Sequence, residues 1–171
     1  MAMARKFRER FKTLNDVFDQ FTIRNLFVLS RKDHFVEGTL SPLSIGKEAN
    51  VFTAAAKEGG RVVVKIYRLE TADFNKMYDY IAADPRYTSL KKKHREVIFA
   101  WCQREYRNLM TCREAGVHAP LPIAFLKNIL IMQQVGEEAP AQKIKDDIPK
   151  KPQKFFAEVI EEMKKLYHYG Y

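Results

Sequence analysis

Residues 35–68 set the first constraint: their apolar residues come in short runs broken by turn formers, not at helical spacing. Three runs, 35–43, 49–56 and 61–68, read as successive antiparallel strands, and Gly59-Gly60 reads as the hairpin turn between the last two. Before them, Leu14, Val17, Phe18, Phe21, Ile23, Leu26 and Phe27 recur at helical spacing. That predicts one or two short helices over 13–30, the second capped by Thr22.

Beyond the strands, residues 69–95 read as a polar connection with a short helix around Phe74, Met77, Tyr78 and Ile81, ended by Pro85. A longer helix is expected over 96–115, with Gly116 as a left-handed cap and Pro120 and Pro122 preventing continuation. Residues 123–126 and 129–133 read as two further strands turned at Lys127-Asn128, and 136–152 as a linker. A final helix sets Phe156, Val159, Ile160, Met163 and Tyr167 on one stripe, with Gly170 as its stop. The sum is an α+β chain without internal repeats or low-complexity tracts.

At 171 residues and 46% hydrophobic, the chain has enough apolar material for one domain with a core. No apolar run reaches membrane-spanning length, and residues 1–12 are basic, not signal-like, so the expectation is a soluble cytoplasmic protein with no membrane partner. Cys102 and Cys112 fall ten residues apart on one predicted helix, ~15 Å along its axis, too far for a disulfide. The net charge of +9 is clustered at Arg5 to Lys12, at Lys91, Lys92, Lys93 and Arg95, and at Lys143 to Lys154, which favours polyanion partners.

Two stretches carry candidate chemistry. Lys65 stands among Val62, Val63, Val64 and Ile66, and burying its charge requires an anion nearby. Glu105, on the long helix, is the candidate partner. The alternative is a lysine that snorkels from an edge strand beside a solvated glutamate. The turn Ser44-Ile45-Gly46-Lys47-Glu48-Ala49-Asn50-Val51 offers a hydroxyl, a glycine, a cation and several backbone N–H groups between two strands, a composition suited to folding over polyphosphate. It is not a Walker A sequence: Gly46-Lys47 has no earlier glycine at the required spacing and no following Ser or Thr.

Taken in order, that turn, Val64-Lys65-Ile66-Tyr67 and Trp101-Cys-Gln-Arg-Glu-Tyr-Arg-Asn-Leu109 resemble the RIO family of atypical serine/threonine protein kinases. The long insert between Lys65 and Glu105 resembles its type-one branch, and the resemblance covers roughly residues 35–171. It implies a kinase-like N-lobe, a five-stranded antiparallel sheet with a helix packed on it. Short N-terminal helices would precede the lobe and one helix of a C-lobe would follow. The implied organisation is 1–33 arm and short helices, 34–135 ATP-binding lobe, and 136–171 hinge and first part of the C-lobe.

By the same resemblance, Ser44, Gly46, Lys47, Glu48 and Val51 belong to the phosphate-binding loop. Lys65 would contact phosphate, with Glu105 as its helix partner. Residues 129–136 would enter the hinge, with Met132 as gatekeeper and the backbones of Gln133 and Val135 meeting the adenine edge. Ile45 stands where the family usually has threonine. The implied cofactors are ATP and Mg2+, and the implied partners are preribosomal RNA or the small ribosomal subunit, whose maturation the family serves.

The family's His-x-Asp-x-Ser-x-x-Asn loop does not occur in this sequence, since His34, His94, His118 and His168 are followed two positions on by Val36, Glu96, Pro120 and Gly170. The closing residues Lys165 to Tyr171 resemble the end of the helix that leads into that loop, so the Mg2+ ligands and the remaining C-lobe are expected outside the chain. These 171 residues alone are expected to be inactive as a kinase. Asp146-Asp147 reads as solvated linker, not as substitute carboxylates. A non-catalytic module binding RNA or ribosomal protein is the alternative reading; a small-molecule phosphotransferase would share the lysine–glutamate pair without the RIO-like loop.

Overall fold

A computed structural model describes residues 18–70, 73–136 and 139–171. The predicted helix positions Leu14 and Val17 and the basic arm 1–12 lie outside them. In chain order the elements are α1 (Gln20–Arg31), β1 (Ser41–Ile45), β2 (Ala49–Ala55), β3 (Arg61–Tyr67), α2 (Phe74–Ala82), a 3-10 turn (Pro85–Tyr87), α3 (His94–Glu114), β4 (Pro122–Leu126), β5 (Ile129–Gln133) and α4 (Pro152–Tyr169). The strands form one antiparallel sheet in the order β1-β2-β3-β5-β4. The α+β class and the five-stranded antiparallel sheet are as expected from the sequence.

Both faces of the sheet's centre are covered, which is why β3 reads as a nearly continuous apolar run instead of alternating. Val62, Val64 and Ile66 point to one side, where they join Phe52, Ile129 and Ile131 beneath Leu26 and Leu29 of α1. Val63, Lys65 and Tyr67 take the other side by the two-residue period of a strand. There Tyr67 and Leu130 pack with Val97, Ile98 and Cys102 of α3 and Met77 of α2. Burial pushes the Cys102 thiol up to about 12, so it behaves as a small apolar filler; Cys112 is half-buried and both thiols are free.

Three local expectations are corrected. Asp19, not Thr22, caps α1: its carboxylate accepts the Thr22 N–H at 2.7 Å. Thr22 lies inside the helix, and its hydroxyl accepts from Asn128 instead. The first strand begins at Ser41, not at residue 35. Phe35 is apolar because it is fully buried in the core, while Thr39 turns the chain by bonding back to the Val36 carbonyl at 2.6 Å. β1 is an exposed edge strand with a register shift between Pro42 and Ser44, consistent with proline's exclusion from inner ladder positions. The long helix starts at His94, two residues earlier than expected.

Gly116 and Gly170 adopt positive φ, 76° and 87°, at the ends of α3 and α4, as a left-handed cap requires. No helix among the described residues is long and apolar enough to cross a membrane.

Candidate functional site

The stripe that seats α3 on the sheet also delivers Glu105. Ile98, Cys102 and Glu105 follow one another at steps of four and three, so the carboxylate emerges one turn beyond two fully buried side chains. On the strand beneath, Lys65 Nζ lies 2.8 Å from both Glu105 oxygens. The two side chains are 25% and 26% exposed. A pair this open stabilises a fold by about 1 kcal/mol or less; what it fixes is where a cation stands. Tyr67, two residues along on the same face, brings its ring centroid to 5.0 Å from the ammonium.

An open cleft of about 580 Å³ runs over this pair, walled by the 46–49 turn, Val51, Lys65, Tyr67, Trp101 and Glu105. Val51 is the direct cross-strand neighbour of Lys65. The turn itself is tightly made. Gly46 N–H donates to the Ala49 carbonyl at 3.1 Å, and a Cβ at Gly46 would sit 2.8 Å from that oxygen. Glycine is therefore required here by close backbone approach. Arg68 holds the turn from below, its N–H donating to the Glu48 carbonyl at 2.9 Å and its guanidinium reaching the Gly46 carbonyl at 3.4 Å.

The other expected residues stand farther away. Ser44 lies in exposed β1 opposite Val51, outside the cleft wall. Met132 is the cross-strand partner of Val63, on the same face as Lys65 but about 7 Å along the strands. Gln133 and Val135 follow it and do not line the cleft. Gln133 donates its N–H to the Leu121 carbonyl at 2.8 Å, and Val135 accepts at its carbonyl from Ala141 N–H at 2.7 Å. Gly136 turns the chain there at φ 105°, where a Cβ would meet the Ala139 carbonyl oxygen and approach Ala141 N to 2.7 Å.

Sequence reasoning passed over Tyr67, Trp101 and Arg68 as parts of the site. The strand period, counted two on from Lys65, points to Tyr67, and the helix period, counted back four from Glu105, points to Trp101. Arg68 has no such signal, because its role depends on a turn twenty residues earlier.

Among the described residues no group of three or more His, Cys, Asp or Glu side chains could hold a metal ion. The carboxylate nearest the cleft's cation, Glu105, is already bound to Lys65. Among the described residues, then, the cleft holds no such group.

The family model described as the RIO domain matches residues 50–171, which take in β2 from its second residue, Lys65, Glu105 and α4. The chain belongs to the RIO family. It is 41% identical over 167 residues to the RIO-type serine/threonine-protein kinase Rio1 of Methanocaldococcus jannaschii, covering 97% of this chain and 57% of that protein. With the protein of the same description from Haloferax volcanii it shares 36% over 169 residues, 98% of this chain and 58% of that one. The human serine/threonine-protein kinase RIO1 matches at 28% over 160 residues, 91% of this chain and 28% of that protein. The chain thus spans somewhat more than half the length of its archaeal relatives. Within this RIO chain the 44–49 turn precedes the matched span, whereas both archaeal alignments extend over nearly the whole sequence.

Proposed function

We propose that this chain is the ATP-binding lobe of a RIO-type serine/threonine protein kinase. The observation that carries the reading is the ammonium of Lys65, fixed by both oxygens of Glu105 beneath a turn of closely packed backbone. A cation so held, at the floor of an open cleft, offers a ready partner for phosphate oxygens without having to be ordered on binding. Glu105 orients it through two charge-assisted hydrogen bonds. Val51, Val63 and Met132, on the same face, supply an apolar surface for a flat base. The bonds to Leu121 and Ala141 engage the Gln133 N–H and the Val135 carbonyl, so a base edge there would meet the Gln133 carbonyl and the Val135 N–H. One accepts and one donates, complementary to the amino group and ring nitrogen of adenine.

In the whole kinase the γ-phosphoryl group would pass to a serine hydroxyl, forming a new P–O bond as the bond to the β-phosphate breaks and ADP leaves. No His-x-Asp pattern occurs in these 171 residues to supply the aspartate that orients the hydroxyl, so this chain alone is expected to bind nucleotide and transfer nothing. We place the activity in the cytoplasm, on the maturing small ribosomal subunit; the +9 charge supports only the polyanionic character of that partner.

Titration calorimetry with ATP tests the lobe reading: Lys65→Ala should weaken binding at least tenfold while circular dichroism stays unchanged. Equal ATP affinity in the variant would refute it. A second reading, a non-catalytic RNA-binding module, is favoured by the exposed run Lys91, Lys92 and Lys93 ahead of α3. It requires RNA affinity that falls steeply with salt and is indifferent to Lys65→Ala.

A further inference from the structure

A buried hydrogen-bonded bridge crosses the sheet next to the segment that would read the base. Thr53 on β2 and Gln134, the residue after β5, are each 5% exposed, and the Thr53 hydroxyl donates to Gln134 Oε1 at 2.6 Å. Arg61 Nε, at the start of β3, donates to the same hydroxyl at 2.9 Å. Thr53 is the cross-strand neighbour of Val63, and Val63 of Met132. Gln134 therefore reaches from the far side of Val63 over the end of the face that carries Lys65.

The two neighbours of Gln134 are pinned separately, Gln133 through Leu121 and Val135 through Ala141. Gln134 is the middle anchor, and its partner lies 81 residues away on a strand that also lines the cleft. One feature sets the bridge apart from ordinary packing. Nε2 of Gln134 is buried without a partner among the described residues, an arrangement that costs stability and that an apolar side chain would avoid.

From this geometry we infer that Gln134 is a positioning residue for base recognition. Through Thr53 it locks the 133–135 backbone against the sheet, so that the Gln133 carbonyl and the Val135 N–H stand at a fixed spacing. The inference rests on the ATP-binding reading above and deepens it. It assigns phosphate and base to different anchors: Lys65 with Glu105 in the cleft, and Gln134 with Thr53 beyond it along the same face of the sheet.

The test is the ratio of affinities for ATP and for inorganic tripolyphosphate, measured by calorimetry on this chain. Tripolyphosphate reports only the phosphate end. Gln134→Leu and Thr53→Val should each lower ATP affinity about five- to tenfold, the loss of one hydrogen bond's ordering, and leave tripolyphosphate affinity unchanged. Thr53→Ser keeps the hydroxyl and should retain the wild-type ratio. Gln134→Leu also removes the unpartnered amide, so its melting temperature should stay within a few degrees of wild type. An unchanged ratio in both Gln134→Leu and Thr53→Val overturns the inference, and so does an equal loss for both ligands, which would mean general loosening. Lys65→Ala reports separately on the parent reading: if it leaves both affinities intact, or if wild type binds neither ligand, ATP binding itself fails, and this inference with it.

Discussion

Asn128 follows a lysine held at φ 56° in the β4–β5 turn, and its side chain is fully buried. Its Nδ2 donates to the Tyr67 carbonyl at 2.9 Å and to the Thr22 hydroxyl at 3.1 Å, tying the turn to β3 and to α1. In return, Tyr67 N–H donates to the Asn128 carbonyl at 2.8 Å. Asn128→Ala would take the side-chain donor from the Tyr67 carbonyl and the Thr22 hydroxyl and should destabilise the fold by about 2 kcal/mol, read as a lower urea midpoint with an unchanged slope. Asn128→Asp should do worse, because it buries a charge. A turn at Lys127-Asn128 is legible in the sequence. What Asn128 bonds is not, since Thr22 lies 106 residues away and only the closed sheet brings it near.

Of the helices, α4 is the least embedded: none of its residues is buried, and polar contacts hold it against the end of α3. His118 presents its N–H and ring Nδ1 to Glu162, both at 2.9 Å, while Lys165 donates to the Gly116 carbonyl at 3.0 Å and to Glu162 at 2.8 Å. Tyr169 donates to Glu114 at 3.0 Å. The Lys165 ammonium, followed by His118, holds the Glu162 carboxyl down to about 2 from an ordinary 4.5. A carboxyl depressed on folding favours the docked helix fully above its ordinary value and loses that contribution as pH falls through the folded one. Docking of α4 should therefore weaken between about pH 4.5 and 2, seen as faster hydrogen exchange at residues 116–118. In Glu162→Gln that step should vanish; an identical acid response in the variant would refute the assignment. The helix itself, its stripe and its Gly170 stop are legible from spacing alone, whereas its partners are not, because no periodicity encodes which turn a polar face will meet.

Across the whole molecule, apolar surface is unevenly covered. The sheet is sandwiched between α1 and the α2–α3 pair, yet α4 exposes Phe156 at 65%, Met163 at 60% and Tyr167 at 78% of their full surface. A stripe of this kind on an isolated chain drives association. The chain should form concentration-dependent oligomers in light scattering, and Phe156→Ser with Met163→Ser should shift them toward monomer. A wild-type protein that stays monomeric at high concentration sinks the prediction.

What the sequence determined by itself is local: the strands and helices, whose periods are written in neighbouring residues, and a lysine in an apolar strand that had to find an anion. Its order of motifs also carried the family, and with it the expectation of Glu105. The tertiary structure decided everything that needs two distant segments to meet. It set Tyr67 and Trp101 into the cleft wall, put Arg68 under the 46–49 turn, and joined Thr53 to Gln134. It also took Phe35 out of the first strand, because burial in a core and extension in a ladder call for the same apolar residue types. Side-chain pattern reports which face is buried, but the identity of a contact is fixed only when closing the sheet brings its two ends within hydrogen-bonding reach.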